Sequence, residues 1–322
     1  MCLYCNPLKD KDAPDPFMTF DPATGYYYAL HTNWDKVEIF RSKKAFDVLN
    51  GESKIVYTND NPDGNYNSFW APEMHKAPDG KWYIYTSAMV IPEGWRPRIF
   101  VLGSKTADPF GEWEFKGRPC PDEFSIDPTV YTDKDGKQYM CYSRVYKPDG
   151  QVLEIREMTN PYTVSDKYAV ISKATYDWEL VPPYDINWAI NEGPFFVEKD
   201  GRLFIIYSGN GCWSKDYCLG VLEFLGGDMC DAKNWVKHDK PVFTHGNGVF
   251  GPGHASFFKS PDNTEYWVVY HVLKDENPSN QCAPRSFCIQ PFYFDENSFP
   301  KYQHPVGFNK DLQAPSGEEN IK

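Results

Sequence analysis

The 322 residues predict an all-β chain folded as a five-bladed β-propeller with four antiparallel strands per blade. Three observations carry that prediction. One layout recurs five times: a polar head on or beside a Pro- or Gly-bearing corner, then a strand, a turn and a second strand. Asp-Gly and other Gly-rich joints separate apolar runs rich in Tyr, Phe and Trp, which is hairpin chemistry. No stretch has a 3.6-residue period long enough to form a substantial helix.

The elements follow in order. Residues 1–14 read as an irregular lead-in. The first copy is Asp15-Pro16-Phe17-Met18, a Thr24-Gly25 turn, Tyr26–Leu30, Val37–Phe40 and, past a single helical turn at Ala45–Leu49, Ser53–Tyr57. The second is Pro72-Glu73-Met74-His75, Asp79-Gly80, Trp82–Tyr85, Arg98–Leu102 and Trp113–Phe115. The third is Asp127-Pro128-Thr129-Val130-Tyr131, Asp135-Gly136, Tyr139–Ser143, Val152–Ile155 and Tyr168–Ile171. The fourth is Asn191-Glu192-Gly193-Pro194-Phe195, Asp200-Gly201, Leu203–Ser208, Leu219–Phe224 and Trp235–Lys237. The fifth is Gly253-His254-Ala255-Ser256-Phe257, Asp262-Asn263, Tyr266–His271 and Ser286–Ile289. Residues 1–307 then form a single propeller domain, and 308–322 a polar peripheral tail. Asp177 to Ala189 reads as an aromatic loop and a candidate pocket wall.

Composition narrows the function. A net charge of −12 argues against nucleic acid, whose phosphates demand a basic face. No apolar run of about 18 residues exists, so a membrane span is not expected. Met1 to Pro14 lacks the basic and apolar regions of a signal peptide, which makes a cytoplasmic location the expectation unless a leader was removed. Nine cysteines cannot all pair, and Cys2-x-x-Cys5 is half of a metal or redox spacing with no matching second half.

The heads are Asp15, Glu73, Asp127, Glu192 and His254. In a propeller the first strand of each blade runs beside the central axis, so these side chains converge. Four carboxylates crowded there repel one another unless a cation, a substrate or shifted protonation states relieve them. Asp108-Pro109-Phe110-Gly111 copies the Asp-Pro motif between a third and a fourth strand, where it is turn chemistry. Glu73 fits either a role at the axis or hydrogen bonds to loops, and His254 either a core histidine or a group near a bound cation.

The ordered set Trp70-Ala71-Pro72-Glu73, Ile126-Asp127-Pro128-Thr129, Asn191-Glu192-Gly193-Pro194, Gly251-Pro252-Gly253-His254 and Tyr270-His271, with Arg285 and Gln290, resembles glycoside hydrolase family 43. Those are five-bladed propellers that include α-L-arabinofuranosidases, β-xylosidases and arabinanases. The resemblance implies Asp15 as general base, Glu192 as general acid and Asp127 as the carboxylate that orients the acid and tunes its pKa. It also implies that Arg285 reaches the sugar or the acid. His254 would lie near a structural cation, calcium in many members, with no cofactor required for the chemistry itself.

An inverting glycosidase needs an acid to protonate the leaving oxygen and a base to activate water on the opposite face, with carboxyls roughly 6.5 to 9.5 Å apart. Trp70, Trp178, Trp188 and Trp213 are candidate stacking surfaces for sugar rings. The expected activity is an inverting exo-glycosidase that removes terminal α-L-arabinofuranosyl units from plant cell-wall arabinan or arabinoxylan oligosaccharides. The expected partner is an oligosaccharide, with no nucleic acid or membrane. Alternatives are a β-xylosidase or bifunctional enzyme, an endo-arabinanase, a non-catalytic sugar-binding propeller, and an interaction propeller of the WD or kelch kind. The repeats here are longer than the roughly 40 to 50 residues of that last kind.

Overall fold

The structure, a computed structural model, describes residues 3–60, 66–91, 94, 96–120, 124–146, 149–181, 189–276 and 284–321. Five four-stranded antiparallel sheets follow one another along the chain, each in simple up-and-down order, and form a five-bladed propeller. Blade one comprises Phe17–Asp21, Tyr26–Leu30, Lys36–Ser42 and Glu52–Thr58. Blade two comprises Tyr66–Lys76, Trp82–Val90, Pro97–Ser104 and Trp113–Gly117, and blade three Ser125–Thr132, Gln138–Val145, Gln151–Asn160 and Thr163–Ser172. Blade four is Asn191–Lys199, Arg202–Gly209, Cys218–Phe224 and Trp235–Lys237. Blade five is Phe250–Lys259, Tyr266–Leu273, Arg285–Phe294 and a short Pro300–Lys301 strand that its sequence did not announce. The turn at Ala45–Asn50 is a 3-10 helix.

Burial grades outward through each blade. Every residue of Trp82–Val90 and Pro97–Ser104 is buried, because neighbouring blades cover both faces of the middle strands. That is why these strands read as continuous apolar runs. The outer strand Thr163–Ser172 is largely open to water and mostly polar. On the axis, the rings of Phe17, His75, Phe195 and Phe257 meet from four blades, with Phe195 and Phe257 centroids 5.5 Å apart and Phe17 and His75 5.7 Å. These aromatic side chains form a floor across the channel.

The two termini tie blade five to blade one. Leu3–Cys5 pairs antiparallel with Asp311–Gln313, a strand inside the segment expected to be plain tail. Leu8 and Lys9 bond to Phe287 of blade five, and Ala13 to Arg285. Glu318 accepts the Ala45 N–H of blade one at 2.8 Å.

Candidate active site

Each inner strand enters the axis through the same kink. Asp15, Ala71, Asp127, Gly193 and His254 all have positive φ, between 45° and 57°. In blades two to five the ladder shifts register at this point, between Trp70 and Glu73, Ile126 and Thr129, Glu192 and Phe195, and Gly253 and Ser256. A left-handed bend costs a residue with a Cβ roughly 1–2 kcal/mol, so it needs local support.

The support is a polar group at one repeated position near the end of the second strand. Thr32 accepts the Ala71 N–H at 2.8 Å, Ser87 the Asp127 N–H at 3.1 Å, and Ser208 the His254 N–H at 2.7 Å. Ser143 donates to the Asn191 carbonyl, and His271 accepts the Asp15 N–H at 3.1 Å. The blades therefore hand their heads to one another around the ring. Gly193 has a second reason to lack a side chain: a Cβ there would lie 3.1 Å from the His254 ring.

This register sorts the five heads. Asp15, Asp127 and His254 sit at the kink itself. Glu192 comes one residue earlier, level with Trp70, and Glu73 two residues later. Glu73 therefore lies one layer deeper, where His75 Nε2 contacts its carboxylate at 2.7 Å and burial raises its pKa. Asp108 caps its own hairpin by accepting the Phe110 N–H at 2.9 Å.

Asp15, Asp127 and Glu192 share one neighbourhood. The Gly193 N–H, adjacent to Glu192, donates to Asp127 Oδ2 at 3.1 Å. Tyr217 OH donates to Glu192 Oε1 at 2.9 Å, and Gln151 Nε2 to Glu192 Oε2 at 3.0 Å. The Tyr217 ring stacks on His271 at 5.4 Å, and His271 in turn receives Asp15. Asp15 Oδ1 faces Arg285 Nη1 at 2.8 Å and His254 Nδ1 at 3.3 Å, while Thr32 Oγ1 donates to Oδ2 at 2.5 Å.

These contacts push the carboxyls apart in acidity. Burial raises the Asp15 pKa, but the nearby positive charge, Arg285 above all, outweighs it and holds the carboxyl well below its usual range. Burial is also the main force on Asp127, and with the charges of Glu192 and Asp15 it lifts that pKa well above normal. Glu192 is raised first by burial, with Asp15 adding to it, against the opposing hydrogen bonds of Tyr217 and Gln151. Burial keeps His271 neutral, with a pKa lowered to about 3. One site thus sets a carboxylate favoured in its ionised form beside two carboxyls whose affinity for a proton is raised.

Arg285 bonds Asp15, and its charge is also felt by Glu192. Trp70 is half-buried at the register of Glu192. Trp188 lies outside the described residues. Trp178 packs on blade four: a Cβ at Gly209 or Gly220 would come within 2.6 Å of its ring, and its Nε1 donates to Asp239 O. It is no stacking surface for sugar. Among the described residues no three His, Cys, Asp or Glu side chains gather as metal ligands, and His254 Nδ1 faces Asp15.

Tyr217, Gln151, Thr32 and His271 were not expected in roles here. The sequence carries a faint signal for His271, since Tyr142-Ser143, Tyr207-Ser208 and Tyr270-His271 repeat an aromatic–polar pair. Trp34, 59% exposed, was also missed. Its backbone is pinned by Asn33 N to Phe69 O and Ser68 N to Trp34 O, both 2.9 Å, two residues beyond the Thr32 that touches Asp15.

Residues 4–300 match Glycosyl hydrolases family 43. An extracellular exo-alpha-(1->5)-L-arabinofuranosidase of Streptomyces chartreusis is 33% identical over 280 residues, which span 84% of this chain and 82% of that protein. Another of the same description from Streptomyces avermitilis is 31% identical over 317 residues, spanning 94% of this chain and 64% of that protein. The crystal structure of an alpha-L-arabinofuranosidase from Lactobacillus brevis superposes with a TM-score of 0.85 at 28% identity, covering 95% of this chain and 98% of that one.

The cytoplasmic expectation is overturned, because both Streptomyces relatives are named as extracellular. Within the stretch that expectation rested on, Leu8 and Ala13 bond along blade five. With the fold, the axial carboxyls and these relatives in agreement, the chain belongs to glycosyl hydrolases family 43 and is a glycoside hydrolase.

Proposed function

We propose that the enzyme is an inverting exo-α-L-arabinofuranosidase that removes terminal arabinofuranosyl units from arabinan or arabinoxylan oligosaccharides. Asp15 is the general base, Glu192 the general acid, and Asp127 the carboxylate that orients the acid and tunes its pKa. The observation that carries this reading is the opposite displacement of two neighbouring axial carboxyls, Asp15 held down by the Arg285 guanidinium 2.8 Å away and Glu192 pushed up by burial. An ionised carboxylate activates water, and a protonated one delivers its proton to the leaving oxygen. Arg285 keeps Asp15 charged, and Trp70, half-buried at the equivalent register of blade two, offers an aromatic surface for the sugar. The substrate rests on the two Streptomyces relatives, whose names give exo action on α-1,5 arabinofuranosyl linkages.

The test is product analysis with aryl α-L-arabinofuranoside, aryl β-D-xyloside and α-1,5-arabino-oligosaccharides. Release of arabinose from chain ends, with the opposite anomer appearing first by NMR, is expected. Glu192→Ala should abolish release from the oligosaccharides. A retained anomer overturns the mechanism, and preference for the xyloside overturns the substrate.

A further inference from the structure

Behind the acid lies a buried charge pair that the chemistry above does not use. Glu179 is fully buried. Its Oε1 accepts from Asn191 Nδ2 at 2.8 Å, Tyr207 OH at 2.9 Å and the Lys237 ammonium. Its Oε2 accepts the Thr175 and Tyr176 N–H groups at 2.6 and 2.9 Å. Lys237 reaches in from the outermost strand of blade four, its ammonium 5.4 Å from the centre of the Tyr207 ring, and also donates to Asn191 Oδ1 at 3.2 Å.

Taking two ions out of water costs several kcal/mol each, and a well-packed apolar pair often stabilises as much. What this pair holds is therefore more informative than its energy. It holds Asn191, whose polar groups are all engaged. Nδ2 donates to Glu179 and to Ile190 O, Oδ1 accepts from Ser172 at 2.6 Å and from Lys237, and the carbonyl accepts from Ser143. The next residue is Glu192. From the other side Gln151 bonds the Glu192 carboxylate and Ser143, and its own N–H is held by Ala189 O at 2.9 Å. The Glu179 carbonyl accepts the Ile190 and Asn210 N–H groups, both at 3.3 Å, and so fixes the chain entering the strand as well.

We propose that Glu179 and Lys237 are a positioning pair for the acid: through Asn191 they aim the Glu192 carboxyl at the leaving oxygen. The inference rests on Glu192 being the acid. A proton donor misplaced by about an ångström loses on the order of a hundredfold in rate, but only where the leaving group needs its proton.

The experiment compares Glu179→Gln, Lys237→Met and Glu192→Gln on 4-nitrophenyl α-L-arabinofuranoside, whose leaving group departs with little help, and on α-1,5-arabinobiose, whose alcohol does not. Folded fraction is followed by thermal melts. For Glu179→Gln and Lys237→Met, kcat/KM should fall about ten- to a hundredfold on the disaccharide and less than about threefold on the aryl substrate. An equal fall on both substrates, or none on either, while Glu192→Gln stays selective, overturns the positioning pair alone. If Glu192→Gln shows no selectivity, the acid assignment falls and the pair with it. Should Lys237→Met fail to fold, Asn191→Ala takes its place with the same expected selectivity.

Discussion

Arg285 Nη1 lies 2.8 Å from Asp15 Oδ1, and this contact sets which carboxylate at the axis stays ionised. Both groups are largely buried, so the guanidinium charge is little screened by water. Arg285 is the strongest of the groups that depress the Asp15 pKa. Arg285→Met removes that charge, so the Asp15 pKa must rise. The acidic limb of kcat/KM should move to higher pH by about one to three units, with lower activity at its optimum. A pH–rate profile of the variant checks this, and an unmoved acidic limb would show that Asp15 is not the group titrating there.

Tyr217 acts on the other limb. Its hydroxyl donates to Glu192 Oε1 and favours the ionised form, which lowers the acid's pKa. Tyr217→Phe removes the donor and leaves the ring stacked on His271. The Glu192 pKa then rises, the acid keeps its proton to higher pH, and the alkaline limb shifts upward by about one unit. The acidic limb should stay where it is.

Asp127 predicts a stability gain. Its folded-state pKa is raised above the unfolded value, by burial first and then by Glu192 and Asp15. Such a carboxyl contributes stability that is fully present below the unfolded pKa and is lost as pH rises through the folded one. At pH 7 the wild type therefore carries a cost that Asp127→Asn lacks, while an amide oxygen can still accept the Gly193 N–H. The variant should melt higher at pH 7, by a margin on the order of 1 kcal/mol, and the margin should shrink as pH falls below the ordinary carboxylate range. Activity should drop at the same time, the usual exchange between a strained site and stability.

Trp34 should separate polymer from monomer. It is 59% exposed on a backbone pinned at both sides and stands near Asp15 through Thr32. An exposed indole on a loop whose backbone is held at both sides can stack on a sugar beyond the one being cleaved. Trp34→Ala should raise KM for arabino-oligosaccharides about five- to thirtyfold, the loss of roughly 1 to 2 kcal/mol of contact, and leave the aryl monoglycoside unchanged. Equal effects on both substrates would place Trp34 outside the substrate path.

The sequence by itself determined the five-blade plan, the order of the strands and the convergence of its polar heads. Each of those depends on local chemistry: Asp-Gly and Thr-Gly turns, continuous apolar middle strands, and Pro or Gly at the inner corners. Only the tertiary structure decided how the heads sort into layers. The kink falls at one register in blades two to five, and against it Glu192 comes one residue early and Glu73 two residues late. The partners that set each charge come from other blades or other strands: Arg285 and Thr32 on Asp15, Tyr217 and Gln151 on Glu192, Lys237 on Glu179. The same holds for the lead-in and tail, which pair only because the ring brings blade five back to blade one. Protonation follows from burial and from neighbours distant in the chain, so the acid and the base become distinguishable only once the propeller has closed.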